Sequence, residues 1–115
     1  MKRPIQRRAE DRLMMNAEKR VLRYLCQATA DAAARAEVIE LLRGYRFASV
    51  PHQVLFDCLK ALPTARPELV EALLPARLVR AGFPDFDLEP FLRPSGMSAA
   101  QARVLCHRMV GGANE

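Results

Sequence analysis

Apolar residues in this chain return at intervals of three and four along most of its length, and that spacing decides what it can fold into. Ala17, Val21, Tyr24, Leu25 and Ala28 form one stripe, Val54, Leu55, Cys58, Leu59 and Leu62 a second, and Ala102, Leu105 and Met109 a third. Each lies along one face of an α-helix and must be covered by another element. A sheet would need alternating apolar residues and frequent turns. The 115 residues hold only five glycines, two tyrosines, five phenylalanines and no tryptophan, a poor supply for a barrel or sandwich. With 50% hydrophobic and 27% charged residues, there is enough apolar surface for one core. The length suits a single domain and excludes a two-domain enzyme. The expected fold is an all-α, compact bundle of five to six short helices. Val21, Leu25, Leu41, Leu42, Leu55, Leu59, Leu62 and Leu105 are its expected central members. At this size the core closes without a metal or disulfide.

Punctuation sets the helix limits. Residues 1–15 read as a basic, flexible N-terminal arm, residues 16–110 as the helical domain and residues 111–115 as a frayed end. Asn16 is the candidate cap of the first helix, although the helix could start as early as Ala9; Glu18, Lys19, Arg20 and Arg23 are placed on its hydrated side. Asp31 caps a second helix that Gly44 ends in a left-handed conformation. Tyr45 and Phe47 follow in an irregular turn and should pack onto the core. Ser49 or Val50 opens a third helix with Pro51 in its first turn, and Pro63 marks the exit. A fourth runs from Pro67 to about Leu74, is broken or kinked at Pro75, resumes near Arg77 and stops at Gly82. A short helix is expected within Asp85 to Leu92, and a last one capped by Ser98 and ended by Gly111 and Gly112.

Charge is unevenly spread. Up to Arg23 there are eight Lys or Arg against three Asp or Glu; the remaining residues carry ten of each, so the whole excess of +5 sits at one end. Lys2, Arg3, Arg7, Arg8 and Arg12 are therefore candidate nucleic-acid contacts. They would bind phosphate weakly and without sequence preference, because no aromatic side chain accompanies them to stack on bases. Three cysteines with no CxxC spacing read as reduced, buried thiols in an intracellular chain. The N-terminal run lacks the apolar core of a signal peptide, and no window is long and apolar enough for a membrane span. A soluble cytoplasmic protein is expected, with no membrane partner.

Some of these segments also occur together elsewhere. NAEKRVLRYL contains Ala17, Glu18, Val21, Leu22 and Leu25; a second helix leads to Phe47; then come His52, Leu55 and Phe56. This order resembles the N-terminal domain of bacterial replicative DNA helicases of the DnaB family, and the similar helicase-binding tail of bacterial primase. The likeness covers residues from about Asn16 to Leu62, and the rest only by helix order. It departs at Tyr45-Arg46-Phe47, where the family has an acidic residue before the Phe. The phosphate-binding GxxxxGK[ST] loop of the motor domain is missing, so this chain is not itself a helicase. The resemblance implies a bundle that works by protein contact, pairing with itself or binding a replication protein such as helicase or primase.

Candidate chemistry is sparse. His52 has no acidic or thiol neighbour one helical turn away and is expected to be structural. Cys106 and His107 are adjacent and so point about 100° apart on a helix, which does not aim a thiol at a base. Asp85, Asp87 and Glu89 lack the spacing of a calcium loop and read as capping groups. No catalytic residue, metal or cofactor is expected. Leu73, Leu78, Val79 and Phe83, on the segment interrupted by Pro75, are the candidate protein interface, because apolar groups there face more than one side. The expected function is a non-enzymatic protein-protein interaction module. The alternative is a small DNA-associated protein acting through the basic arm.

Overall fold

Six helices take up the apolar stripes in the computed structural model: α1 (Pro4–Cys26), α2 (Ala32–Leu41), α3 (Val50–Ala61), α4 (Pro67–Arg80), α5 (Glu89–Leu92) and α6 (Ala99–Ala113). The structure describes residues 4–27, 32–62, 67–93 and 96–113, of which residues 4–11, 67–71 and 112–113 are described by their backbone alone. The fold is all-α, and there is no strand among the described residues. α1 is the spine and packs against α3, α4, α5 and α6, while α2 lies on α6 and α4 on α3.

The expected central residues largely hold. Val21, Leu25, Leu42, Leu55, Leu59 and Leu62 are buried, whereas Leu41 and Leu105 are half-buried at its edge. In α6 the buried positions are Ala102, Cys106 and Met109, one turn apart, which rotates Leu105 toward the surface. Tyr45 and Phe47 pack inward as expected. Their rings meet edge to face at 4.9 Å, and Phe47 lies 5.1 Å from Phe56.

The ends of the helices show where turn chemistry was readable. Ser49 caps α3 in an extended conformation and accepts from the His52 backbone N–H, and Pro51 stands in the first turn, where its missing N–H costs nothing. Ser98 and Gln101 cap α6 reciprocally: the Gln101 N–H donates to Ser98 Oγ at 3.1 Å, and the Ser98 N–H to Gln101 Oε1 at 2.9 Å. Gly82, at φ 94, ends α4, with the Phe83 N–H reaching Leu78 O at 2.9 Å and the Gly82 N–H reaching Val79 O at 3.0 Å.

Other expectations are corrected. α1 begins at Pro4, well before Asn16 or Ala9. The early residues lack an apolar stripe but contain no helix breaker after Pro4, and proline suits the first helical position. α4 continues through Pro75 as one helix. Proline removes one N–H from the ladder without ending it when the flanking turns are held, and here Leu74 and Leu78 are held in the core. Gly44 does not adopt a left-handed conformation; the N–H of Arg43 bonds Glu40 O and that of Tyr45 bonds Leu42 O in consecutive turns. α6 passes through Gly111 to Ala113; the short helix expected within Asp85 to Leu92 is present as α5, Glu89–Leu92. Asp31, Pro63 and residues 114–115 lie outside the described residues.

Candidate functional site

The largest correction concerns Glu18. The sequence reading assigns it to the hydrated side of the first helix, yet its side chain is 0% exposed. Its position explains this: Glu18, Val21, Leu22 and Leu25 are spaced three, four and seven residues apart, so all four share the buried face of α1. A carboxylate there needs partners, and it has three. His52 Nδ1 lies 2.8 Å from Oε1; the Tyr45 hydroxyl donates to Oε2 at 2.7 Å; the Ala48 backbone N–H donates to Oε2 at 2.6 Å. An ionised carboxylate only accepts, so the His52 proton resides on Nδ1. The Tyr45 hydroxyl has one proton, which it directs to the carboxylate, and Met14 Sδ stands beside the hydroxyl oxygen at 2.9 Å. His52 also meets Phe91 edge to face at 6.0 Å.

Electrostatics follow from this geometry. Burial pushes the Glu18 pKa up, but the His52, Ala48 and Tyr45 hydrogen bonds outweigh it, and the carboxyl ends below its ordinary value. Burial, together with Glu18, pushes the Tyr45 hydroxyl up. Because the folded-state pKa of Glu18 is lowered, its contribution to stability is fully present above about pH 4.5 and is lost as pH falls through the folded value. Urea unfolding at about pH 7, 5 and 3 is expected to show a falling midpoint over the last interval, and Glu18→Gln is expected to flatten that fall. An acid limb of equal steepness in the variant would contradict the assignment.

Arg35 is the second buried charge that periodicity missed. It is 0% exposed, shares a face of α2 with Val38, and donates from Nε at 3.0 Å and Nη2 at 2.7 Å to Leu25 O. That carbonyl belongs to the last turn of α1, where no following helical N–H can satisfy it. A cation there also suits the negative end of the helix dipole. Further along, Arg23 Nε at 3.0 Å and Gln27 Nε2 at 2.7 Å both donate to Arg93 O, tying the end of α1 to the chain leaving α5.

This tie borders a groove of about 870 Å³ between α1, α5 and α6. Leu13, Met14, Ala17, Phe91, Leu105 and Met109 give it apolar walls. Leu13 is 69% exposed, an unusual position for a leucine with an apolar cavity beside it. Lys19, Arg20, Arg23, Arg93 and Arg108 also line it, and no carboxylate does among the described residues. A smaller cleft of about 570 Å³ brings His52 near Phe83, Phe86, Asp85 and Asp87.

The other sequence candidates scatter. Of the basic arm, Lys2 and Arg3 lie outside the described residues, Arg7 and Arg8 lie on the backbone of α1, and Arg12 is exposed on α1. Leu78 is only 2% exposed and belongs to the core, contrary to its expected place in an interface patch; Leu73 and Val79 are exposed and Phe83 is half-buried. The reason is the unbroken α4, which turns Leu74 and Leu78 together toward α3 and α1. Cys106 is buried beside an exposed His107. Asp87 Oδ1 accepts from the Glu89 N–H at 3.2 Å in a turn leading into α5, whose cap position, Leu88, makes no side-chain hydrogen bond. Among the described residues no three His, Cys, Asp or Glu side chains gather in a way that could hold a metal, and no helix is long and apolar enough to cross a membrane.

All three cysteines are buried free thiols. Burial pushes Cys26 up to about 12 and Cys106 up to about 11, and raises Cys58 as well. Thiol labelling at about pH 8 is expected to be slow in the folded chain and fast in guanidinium. Rapid reaction of Cys26 or Cys106 in the native chain would contradict their placement. No protein-family model matches the chain, and neither a curated protein nor a solved structure does.

Proposed function

We propose that this chain is a non-enzymatic protein-protein interaction module, similar in kind to the N-terminal domain of bacterial replicative helicases, and that it binds a partner through the α1, α5 and α6 groove. The observation that carries this reading is the groove itself, where the exposed Leu13 and the half-buried Met14, Ala17 and Leu105 stand beside the exposed cations Lys19, Arg20 and Arg108. Arg23 and Gln27 hold its wall in place, so a partner would meet a largely formed surface. The likeness to the helicase domain draws support from a second quarter. Glu18, Phe47 and His52, three positions on which it rests, belong to one buried cluster linked through Tyr45.

Light scattering on the purified chain, alone and with a bacterial replicative helicase or primase, tests the reading. A dimer, or a complex with either protein that Leu13→Ser weakens, is the expected result. A strict monomer that joins neither would overturn the replication-linked reading.

A second reading draws on the exposed Arg12, Lys19 and Arg20 of α1, which continue the basic N-terminal sequence. Such a surface would hold nucleic-acid phosphates. Binding to duplex or single-stranded DNA should then fall steeply with salt and vanish when residues 1–12 are deleted. Undiminished binding by the truncated chain would exclude that role for the basic arm.

A further inference from the structure

We infer that the α1, α5 and α6 groove accepts an acidic amphipathic helix from a partner protein. This deepens the interaction-module reading and rests on it. Two properties of the groove select the occupant.

The first is its apolar surface. Leu13, Met14 and Ala17 on α1 face Leu105 and Met109 on α6, with Phe91 between the helices at the α5 end. The exposed Leu13 and the half-buried Met14 and Leu105 fit the ridge of an apolar helix face, with the unbranched Met14 able to adjust to its shape, while the buried Met109 and Phe91 form the floor beneath them. Nucleic acid gains little from such a wall. Phe91 is already buried against Phe86 and His52, so it offers no free ring face for a base.

The second is charge. Arg20 and Arg108 are exposed on opposite walls, α1 and α6, and Lys19 extends the basic rim, while Arg93 is paired with Glu89 at 3.4 Å. With no carboxylate lining the groove among the described residues, a basic or neutral helix would leave Arg20, Arg108 and Lys19 uncompensated. A helix with Leu-like residues at i, i+3 or i+4 and i+7, and Glu or Asp flanking them, satisfies both walls together. Leu13 to Arg23 spans about 15 Å of α1, which is about three turns of such a ligand.

Fluorescence anisotropy with the full chain tests this, using labelled peptides of about fourteen residues. One carries leucines at helical spacing flanked by glutamates. In three counterparts the glutamates become glutamines, the glutamates become lysines, or the leucines become serines. An oligonucleotide of the same charge completes the set. The leucine-glutamate peptide is expected to bind, with affinity falling as salt rises. The exposed pair Arg20→Glu with Arg108→Glu should weaken it about tenfold or more, and Leu13→Ser should weaken it independently.

If the serine peptide or the oligonucleotide binds as well as the leucine-glutamate peptide, the apolar wall contributes nothing and the inference fails. If the glutamine or lysine peptide binds as well, the acidic preference is wrong while the interaction-module reading stands. If no peptide binds, the inference fails, and the light-scattering measurements decide the module reading separately.

Discussion

Glu18→Ala is expected to destabilise the chain by about 3–5 kcal/mol, the cost typical of removing one partner from a buried, hydrogen-bonded pair. Three donors lose their acceptor at once: His52 Nδ1, the Tyr45 hydroxyl and the Ala48 N–H. Native domains of this size are held by about 5–15 kcal/mol, so the change removes a large share of the total. Glu18→Gln should cost less, about 1–2 kcal/mol. Its oxygen can still accept from Tyr45 and Ala48, while its amide can face His52 if the imidazole proton moves to the other nitrogen. Thermal and urea unfolding of both variants would show the ordering. If Glu18→Ala loses less than Glu18→Gln, the carboxylate is not the hub described above.

Arg35→Ala is expected to lose about 3–5 kcal/mol, and Arg35→Met clearly less. Alanine removes two charge-assisted hydrogen bonds to Leu25 O and leaves a cavity at a fully buried site. Methionine fills most of that space and removes the need to keep a charge away from water, so its cost reduces to the unsatisfied carbonyl, about 1–3 kcal/mol. Burial already holds the Arg35 pKa below its ordinary value, which shows the direction of that desolvation. Equilibrium unfolding of the pair separates the polar contribution from the packing one. Equal losses in the two variants would assign Arg35 a role in volume alone.

These two residues also mark the limit of what periodicity could reveal. The stripes of α1, α3 and α6 follow from spacing, and Ser49, Ser98 and Gly82 follow from the chemistry of helix ends, because both are local rules. Glu18 and Arg35 satisfied the same spacing as their apolar neighbours, but a charged residue on a stripe is ordinarily assigned to water. Each became tolerable in the core only through a partner that the fold brings in: His52 stands on α3, and Leu25 O at the end of another helix. For the same reason His52 showed no acidic neighbour in its own helix. The groove was less legible still, since its walls come from α1, α5 and α6 and only their packing sets Leu13 opposite Met109. The apolar run from Leu73 to Phe83 sorts differently from its spacing because a proline does not end a helix whose Leu74 and Leu78 are anchored in the core.

The Ala48 backbone offers a view of how the molecule opens. Ala48 is an exposed residue outside any helix, where hydrogen exchange with solvent would normally be fast, yet its amide is held by a carboxylate sealed inside the core. Its deuterium uptake should therefore resemble that of a core amide at neutral pH. On acidification it should accelerate, relative to helical amides, before the molecule as a whole unfolds, so that one surface position records the uncoupling of the α2–α3 connection from α1.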